Sequence, residues 1–395
     1  ARSSGQRLLG NSGDPGGGLH AMRGAPTGQG ATDVACTVPD LPGYLKWPTA
    51  KKHRHLADYL HAETYADGYY SNKPKFMVSF LKEFFGENAT VENDYGYEML
   101  PKIGPRLPAS AWTTMGTFHM MRDGRIKGYF AWGMNPAHST PNAKFARNAM
   151  ANLDWLVCAD WFPTETATFW KAPDMDPAKI QTEVYFLPAA LIYEKIGSIS
   201  NSGRWVQWRQ QGVLPPGEAK SDFEIIEVLF DRIRSLYQKE GGVYPDPILK
   251  ANMDYKVDGK YDLRAVCWAI NGYTVQDGKL LPGYAQLQAD GSTACGMWIY
   301  SGYYNNEADK LDPMKQPTAR RSKEDPSGMG LFSGWSFAWP ANRRVLYNRA
   351  SCDMKGRPWN PEKVFVEWKG DKWLQYDVGD FVTANPPDNK AFFLT

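Results

Sequence analysis

The chain has 395 residues, 43% of them hydrophobic, which is enough to bury more than one core and suggests two or three domains. A formal net charge of +2 carries no electrostatic signature of nucleic-acid or membrane-surface binding. The longest apolar run, VYFLPAALIY, is too short to cross a bilayer and contains Pro188, so no membrane span is read.

The sequence opens on ARSSGQRLLG with no initiator methionine and no signal peptide, and reads as a piece of a longer polypeptide. Residues 10–30 hold eight glycines around His20, Met22, Arg23 and Gln29. That density removes side chains where backbone must bend or approach something closely, although a flexible linker would look similar. The densest basic spot, His53–His55 beside two lysines, reads as solvated surface. Residues 73–86 read as an amphipathic helix closed by Gly86.

A clearer pattern follows. WTTMGTFHMMRD is helical, Asp123 and Gly124 turn the chain, and IKGYFAW reads as a strand. GMNPAHSTPN is a loop, AKFARNAMANLD a helix and WLVCA a second strand; after the loop DWFPTETA, TEVYFLPAA reads as a third. Strands alternating with helices imply parallel βαβ units, in which ligands sit beyond the carboxyl ends of the strands. GMNPAHS and DWFPTETA both fall at that end. SDFEIIEVLFDRIRSLYQKEGG is a helix with Ser221 and Glu224 as a capping box. Its apolar positions Phe223, Ile226, Phe230 and Ile233 read as core packing, and Gly241 ends it.

From about Gly242 the texture becomes rich in Trp, Gly, Pro and Tyr, with little periodicity. Such segments can line a carbohydrate site, but packing over a neighbouring domain is the favoured reading. The five cysteines, Cys36, Cys158, Cys267, Cys295 and Cys352, form no CxxC and no metal-binding spacing with histidine. They read as buried small hydrophobes, and no metal site is assigned. On residues alone, Arg23 could equally be a surface arginine, Asn135-Pro136 a plain turn, and Thr164 with Glu165 a helix N-cap.

Taken in order, LLGNSGDPGGGLHAMRG…GQGATD, GRIKGYFAWGMNPAHS, DWFPTETATFW, KIQTEVYFLPA, EKIGSISNSGRWVQW, DGSTACGMWIYSG and WPANRRVLYNRAS resemble the molybdopterin oxidoreductase family. The likeness covers essentially the whole chain. SGRWVQW and NRRVLYNRAS point to the large catalytic subunit of respiratory formate dehydrogenases. The fold this implies is α/β: a Rossmann-like three-layer parallel sheet of the formate dehydrogenase/DMSO reductase type, with an irregular aromatic-rich C-terminal segment. The expected division is 1–34, a glycine-rich active-site loop at the tail of a preceding α/β domain; 35–241, an α/β pterin-dinucleotide domain; and 242–395, an irregular segment leading to a β-barrel.

The implied cofactors are a bis-molybdopterin guanine dinucleotide with molybdenum or tungsten, and a [4Fe-4S] cluster in an N-terminal region expected before Ala1. A selenocysteine or cysteine ligand to the metal is expected there too, and the barrel after Thr395, so this stretch alone should be inactive. The implied activity is oxidation of formate to CO2. Electrons would pass to an iron–sulfur beta subunit and a membrane cytochrome b, in anaerobic respiration at the periplasm.

Carried over motif by motif, Arg23 matches the family's active-site arginine, whose fork can hold a carboxylate bidentately. Gln29 matches the glutamine of the same loop. Gly133, Asn135 and Ser139 match positions contacting a pterin dinucleotide, and Asp160 and Thr164 the residues taking its guanosine end. Glu194, Lys195 and Asn201 lie in a third, cofactor-side loop. The run Ala25, Pro26, Thr27, Gly28 departs from the family loop, which usually has a polar residue two positions after the arginine. Two other functions stay open: a different molybdopterin enzyme reducing nitrate, a sulfoxide or an arsenic oxyanion, and a non-catalytic aromatic-rich α/β binding module.

Overall fold

The structure is a computed structural model that describes residues 27–36, 40–66, 69–104, 113–200, 205–209, 211–302, 335–337, 352–362, 364, 366–371 and 373–375. Arg23, His20, Ala25, Pro26 and Asn201 lie outside these residues. In chain order the elements used below are α1 (Gly28–Asp33), α2 (Lys73–Phe85), α3 (Thr114–Arg122), β1 (Gly128–Trp132), α4 (Ala143–Met150), β2 (Trp155–Asp160), β3 (Glu183–Pro188), β4 (Gly197–Ser200), β5 (Trp205–Arg209), α5 (Asp222–Glu240) and α6 (Leu263–Asn271).

One core forms around α2. Pro74 stands in its first turn, where a missing N–H costs nothing, and the helix stops at Gly86 as its periodicity predicts. Phe76, Met77, Phe80, Leu81 and Phe85 are buried, and Phe76 stacks on Trp298 with centroids 4.2 Å apart. Leu281, Leu287, Cys295, Met297, Trp298 and Ile299 belong to the same cluster, so the aromatic-rich stretch beyond Gly242 packs onto residues 41–100. The basic spot is not uniformly solvated: His53 is buried, its Nδ1 accepting from Thr49 N at 3.1 Å. Burial outweighs the nearby Glu63 and lowers the His53 pKa. The five thiols are free, and all but Cys36 are buried.

The second core belongs to a three-stranded parallel sheet in the order β1-β2-β3, so the fold is mixed α/β. Because successive side chains alternate across a strand, Ala131, Leu156 and Cys158 point to one face, where Phe118 and Met121 of α3 and Ala146, Ala149 and Met150 of α4 cover them. The opposite face carries Phe130, Trp155 and Tyr185, which are 45%, 36% and 47% exposed. Phe130 meets Trp155 edge-on at 5.2 Å. The Trp155 ring lies across Gly128, where a Cβ would stand 1.9 Å from it, so only glycine fits in that conformation. Among the described residues helices cover one face of the sheet, and the large aromatic side chains of the other face stay exposed.

Helix α5 begins and ends where the sequence predicts, at a complete Ser221–Glu224 capping box and at Gly241. Its apolar ridge does not pack as expected. Ile226, Val228, Ile233 and Leu236 are exposed, while Ile225 and Glu227 are buried. The helix is pinned through its first turn, as described below.

Glu83 sits inside the α2 core with Oε2 unpaired among the described residues. Burial pushes its carboxyl up to about 7 from 4.5, against a hydrogen bond from Tyr273 that favours the anion. The folded state thus keeps a proton that the unfolded chain has lost. Its contribution is full below about pH 4.5 and is lost as pH rises through about 7. Glu83→Gln should flatten this dependence and raise stability at pH 8 relative to wild type, by up to about 3 kcal/mol. Denaturant titrations of both proteins at pH 5 and pH 8 measure it; parallel pH profiles would contradict it.

Candidate functional site

Parallel strands end together, so the segments that follow β1, β2 and β3 emerge at one edge. Gly133 N donates to Ala159 O at 2.8 Å and carries the β1–β2 pairing one step past the strand. Gly133 has φ +57°, a conformation L side chains rarely adopt, and nothing lies within 4 Å of where its Cβ would be. Its backbone faces open space at the carboxyl edge. The expected loop 133–142 then makes a short helix, Pro136–Ser139.

Asn135 ties this segment to the next one. Its Nδ2 donates to Glu165 Oε2 at 2.5 Å, and its Oδ1 accepts from Thr166 N at 3.0 Å and Thr166 Oγ1 at 2.8 Å. Thr166 is fully buried, and its Oγ1 in turn accepts from Ala137 N at 3.0 Å. Ser139 Oγ donates to Asn135 O at 2.9 Å. Both ends of the Asn135 amide are thus spent on holding the two loops together. The Asn135 hydrogen bond, reinforced by the Glu165 backbone and by nearby His138, holds the Glu165 carboxyl below its usual range.

Asp160 ends β2, and its Oδ1 accepts from Trp161 N at 2.8 Å. The Thr164 carbonyl accepts from Thr168 N at 3.1 Å and Thr168 Oγ1 at 3.0 Å, while its hydroxyl has no partner among the described residues. Cys158, one residue in from this edge on the buried face, has its thiol pushed up to about 11 by burial and, less, by Asp160. It is not a reactive thiolate.

Gln29 points elsewhere. Its Nε2 donates to Asp33 Oδ1 at 2.9 Å and to Tyr44 Oη at 3.1 Å. Asp33 is fully buried and also accepts from Tyr44 Oη at 2.5 Å and Tyr300 Oη at 3.0 Å. Gln29 therefore belongs to a hub that fixes α1 to the α2 core.

A cavity of about 750 Å³ opens between α1, β4, the segment after β3 and the start of α5. That size falls in the range that encloses organic ligands, roughly 300–1,000 Å³. Its polar wall carries Glu194, Lys195, Ser198, Lys220, Asp222 and Glu224, and its apolar wall includes Val266 and Ile270 of α6. Ala190 N donates to Lys220 O at 2.7 Å and Lys220 N to Pro188 O at 3.2 Å, so this wall is an extension of the carboxyl end of β3.

Of the residues singled out in the sequence, Gly133, Asn135, Ser139, Asp160 and Thr164 gather at one sheet edge, and Lys195 and Glu194 line the cavity beside it. Arg23 lies outside the described residues. Sequence reading missed Thr166, whose burial between aromatics was signalled only by the polar triplet Thr-Glu-Thr. It also missed Asp222, whose partners are far away in sequence.

Residues 109–232 match the family model for molybdopterin oxidoreductase. The chain is 41% identical, over 96% of its length and 38% of the relative's, to the major subunit of the nitrate-inducible formate dehydrogenase of Escherichia coli (strain K12). It is 43% identical, over 95% of its length and 37% of the relative's, to formate dehydrogenase 2 subunit alpha (cytochrome c-553) of Nitratidesulfovibrio vulgaris. Similarity to the assimilatory nitrate reductase catalytic subunit of Bacillus subtilis is 29% over 55% of this chain. The chain spans under two fifths of the length of the two formate dehydrogenase relatives.

Replacing Asn135 with Ala strands two donors of buried Thr166 and leaves the loops untied. The expected cost is about 2–4 kcal/mol of stability, with faster amide hydrogen exchange confined first to residues 133–140 and 161–168. Denaturation and exchange measurements test this; unchanged exchange in both loops would contradict the latch.

Proposed function

We propose that this chain, whose residues 109–232 form a molybdopterin oxidoreductase domain, is the central part of the catalytic alpha subunit of a formate dehydrogenase. The observation that carries the reading is the joining of GMNPAHS and DWFPTETA at one edge of a parallel sheet, in a chain similar to formate dehydrogenase subunits over nearly all its length. The reaction is HCOO⁻ → CO2 + H⁺ + 2 e⁻.

The residues present fit a pterin guanine dinucleotide. Gly133 leaves its backbone open to a bulky group, and the Thr164 hydroxyl is available at the same edge. The Asp160 carboxylate, with one oxygen on Trp161 N, has acceptor capacity for the paired N–H donors of a guanine. Asn135 and Ser139 contribute by shaping the loop, since their polar groups already bond within it. Gln29 contributes through the Asp33 hub, which anchors α1 just after the glycine-rich loop. When bound, the bis-pterin metal centre, with molybdenum or tungsten, supplies the two-electron chemistry. Arg23 is the proposed substrate residue: its fork pairs with both formate oxygens and its charge favours the reacting anion.

The finer architecture proposed is a three-layer Rossmann-like sheet. Parallel sheets are nearly always covered on both faces, and the exposed Phe130–Trp155–Tyr185 face is the surface a third layer would cover. By role, residues 1–34 are proposed as the active-site loop, 35–241 as the pterin-dinucleotide region and 242–395 as the lead into a barrel. A [4Fe-4S] cluster elsewhere in the subunit, an iron–sulfur beta subunit, a membrane cytochrome b and a periplasmic location complete the proposal. Among the described residues no helix is long and apolar enough to cross a membrane.

The binding-module alternative requires exposed, grouped tryptophans beyond Gly242. Trp298 is instead buried in the α2 core, Trp268 and Trp368 are half-buried, and Trp359 stands exposed without a described aromatic neighbour. That pattern favours packing.

The full-length subunit, produced with its partners, should reduce a dye with formate and not oxidise it with nitrate. Arg23→Lys keeps the charge but loses the fork, and should lower kcat/KM for formate about a hundredfold. Turnover with nitrate in place of formate, or an Arg23→Lys variant as active as wild type, would overturn the assignment.

A further inference from the structure

Asp222 is the first residue of α5, directly after the Ser221 cap. Its Oδ1 accepts from Trp132 Nε1 at 2.9 Å, and its Oδ2 pairs with Lys195 Nζ. Trp132 is the last residue of β1 and immediately precedes Gly133. Lys195 lies in the segment after β3 and lines the cavity, as does Asp222. One carboxylate thus joins the end of β1, the segment between β3 and β4, and the start of the longest helix described, at the rim of the cavity. The Lys195 and Asp222 side chains are 22% and 37% exposed, so the pair is partly withdrawn from water.

We propose that Asp222 is a positioning residue for cofactor binding: it fixes the Lys195 ammonium at the cavity rim and holds the Gly133 loop at a set distance from it. The inference rests on the pterin-dinucleotide reading above. The physical case starts from the flexibility of lysine. A four-carbon stem loses much rotamer freedom when its ammonium is held in one place. Without Asp222 the ammonium loses its counter-charge and is left to solvent and the other groups that line the cavity. With Asp222 as its counter-charge, one N–H is committed and the other two remain for a ligand.

The placement of Asp222 is itself well determined. A carboxylate in the first turn is favoured by the positive end of the helix. Lys220, two residues earlier, is hydrogen-bonded to the backbone of residues 188 and 190. The Trp132 bond is the second half of the device. It makes the indole N–H a strut between the Gly133 loop and α5, so ligand contacts on the two sides of the carboxyl edge are coupled through one side chain.

The test uses the full-length subunit purified with its partner subunits. Bound pterin is measured per polypeptide by fluorescence after release and oxidation, together with its dissociation rate and the thermal midpoint of the cofactor-free protein. Asp222→Asn preserves size and the Trp132 acceptor but removes the charge. It should speed pterin loss about tenfold, the equivalent of one charge-assisted hydrogen bond, with little change in the cofactor-free midpoint. Lys195→Met should do the same. The double variant should be no worse than either single one, because both act through one contact.

Additive losses in the double variant, or wild-type retention in Asp222→Asn, would overturn the proposal while leaving the cofactor reading intact. So would a loss of retention that only follows a lowered cofactor-free midpoint. A wild-type subunit that carries no pterin would overturn the cofactor reading and this proposal with it.

Discussion

The carboxyl edge of the sheet is organised by a single side-chain amide. Asn135 is short, and each of its polar groups is directed at the neighbouring loop, so the distance between the β1 and β2 exits cannot drift. Its principal partner, Thr166, is fully buried and would be left with unmet hydrogen bonds if the loops parted. This arrangement lets a backbone as open as that at Gly133 remain ordered without side-chain packing around it. Rigidity comes from the hydrogen bonds of Asn135 and Thr166, and the space in front stays free.

Much of the architecture is legible before any coordinates, because it is written in local patterns. The apolar runs in IKGYFAW, WLVCA and TEVYFLPAA contain β1, β2 and β3, and their parallel pairing follows from the helical segment AKFARNAM between the first two. Ser221 with Glu224 and the glycine stops at 86 and 241 set helix ends to the residue. What stays hidden is whatever depends on partners distant in sequence. Nothing near Asp222 announces Trp132, ninety residues earlier. Nothing near Gln29 says that its amide will meet Asp33 and Tyr44. Likewise the hydrophobic ridge of α5 did not reveal that Ile225 and Glu227 would be buried while Ile226 and Ile233 stay exposed.

Two of the buried carboxylates, Asp33 and Glu83, illustrate opposite solutions to one problem. Asp33 is surrounded by hydroxyl and amide donors from α1, Tyr44 and Tyr300, which replace water around the group. Glu83 has a hydrogen bond from Tyr273 but no partner for Oε2 among the described residues, and its proton affinity rises instead. The first joins three parts of the chain into a stiff unit next to the cavity. The second contributes little cohesion at neutral pH.

Trp155 lies flat over Gly128 and faces solvent on its far side. An indole in that position reads out its own surroundings. When wet it emits at longer wavelength and is open to quenching by dissolved iodide; once another layer of polypeptide settles on Phe130 and Tyr185, its emission shifts to the blue and iodide no longer reaches it. The sheet therefore carries a built-in optical gauge of whatever comes to cover that face.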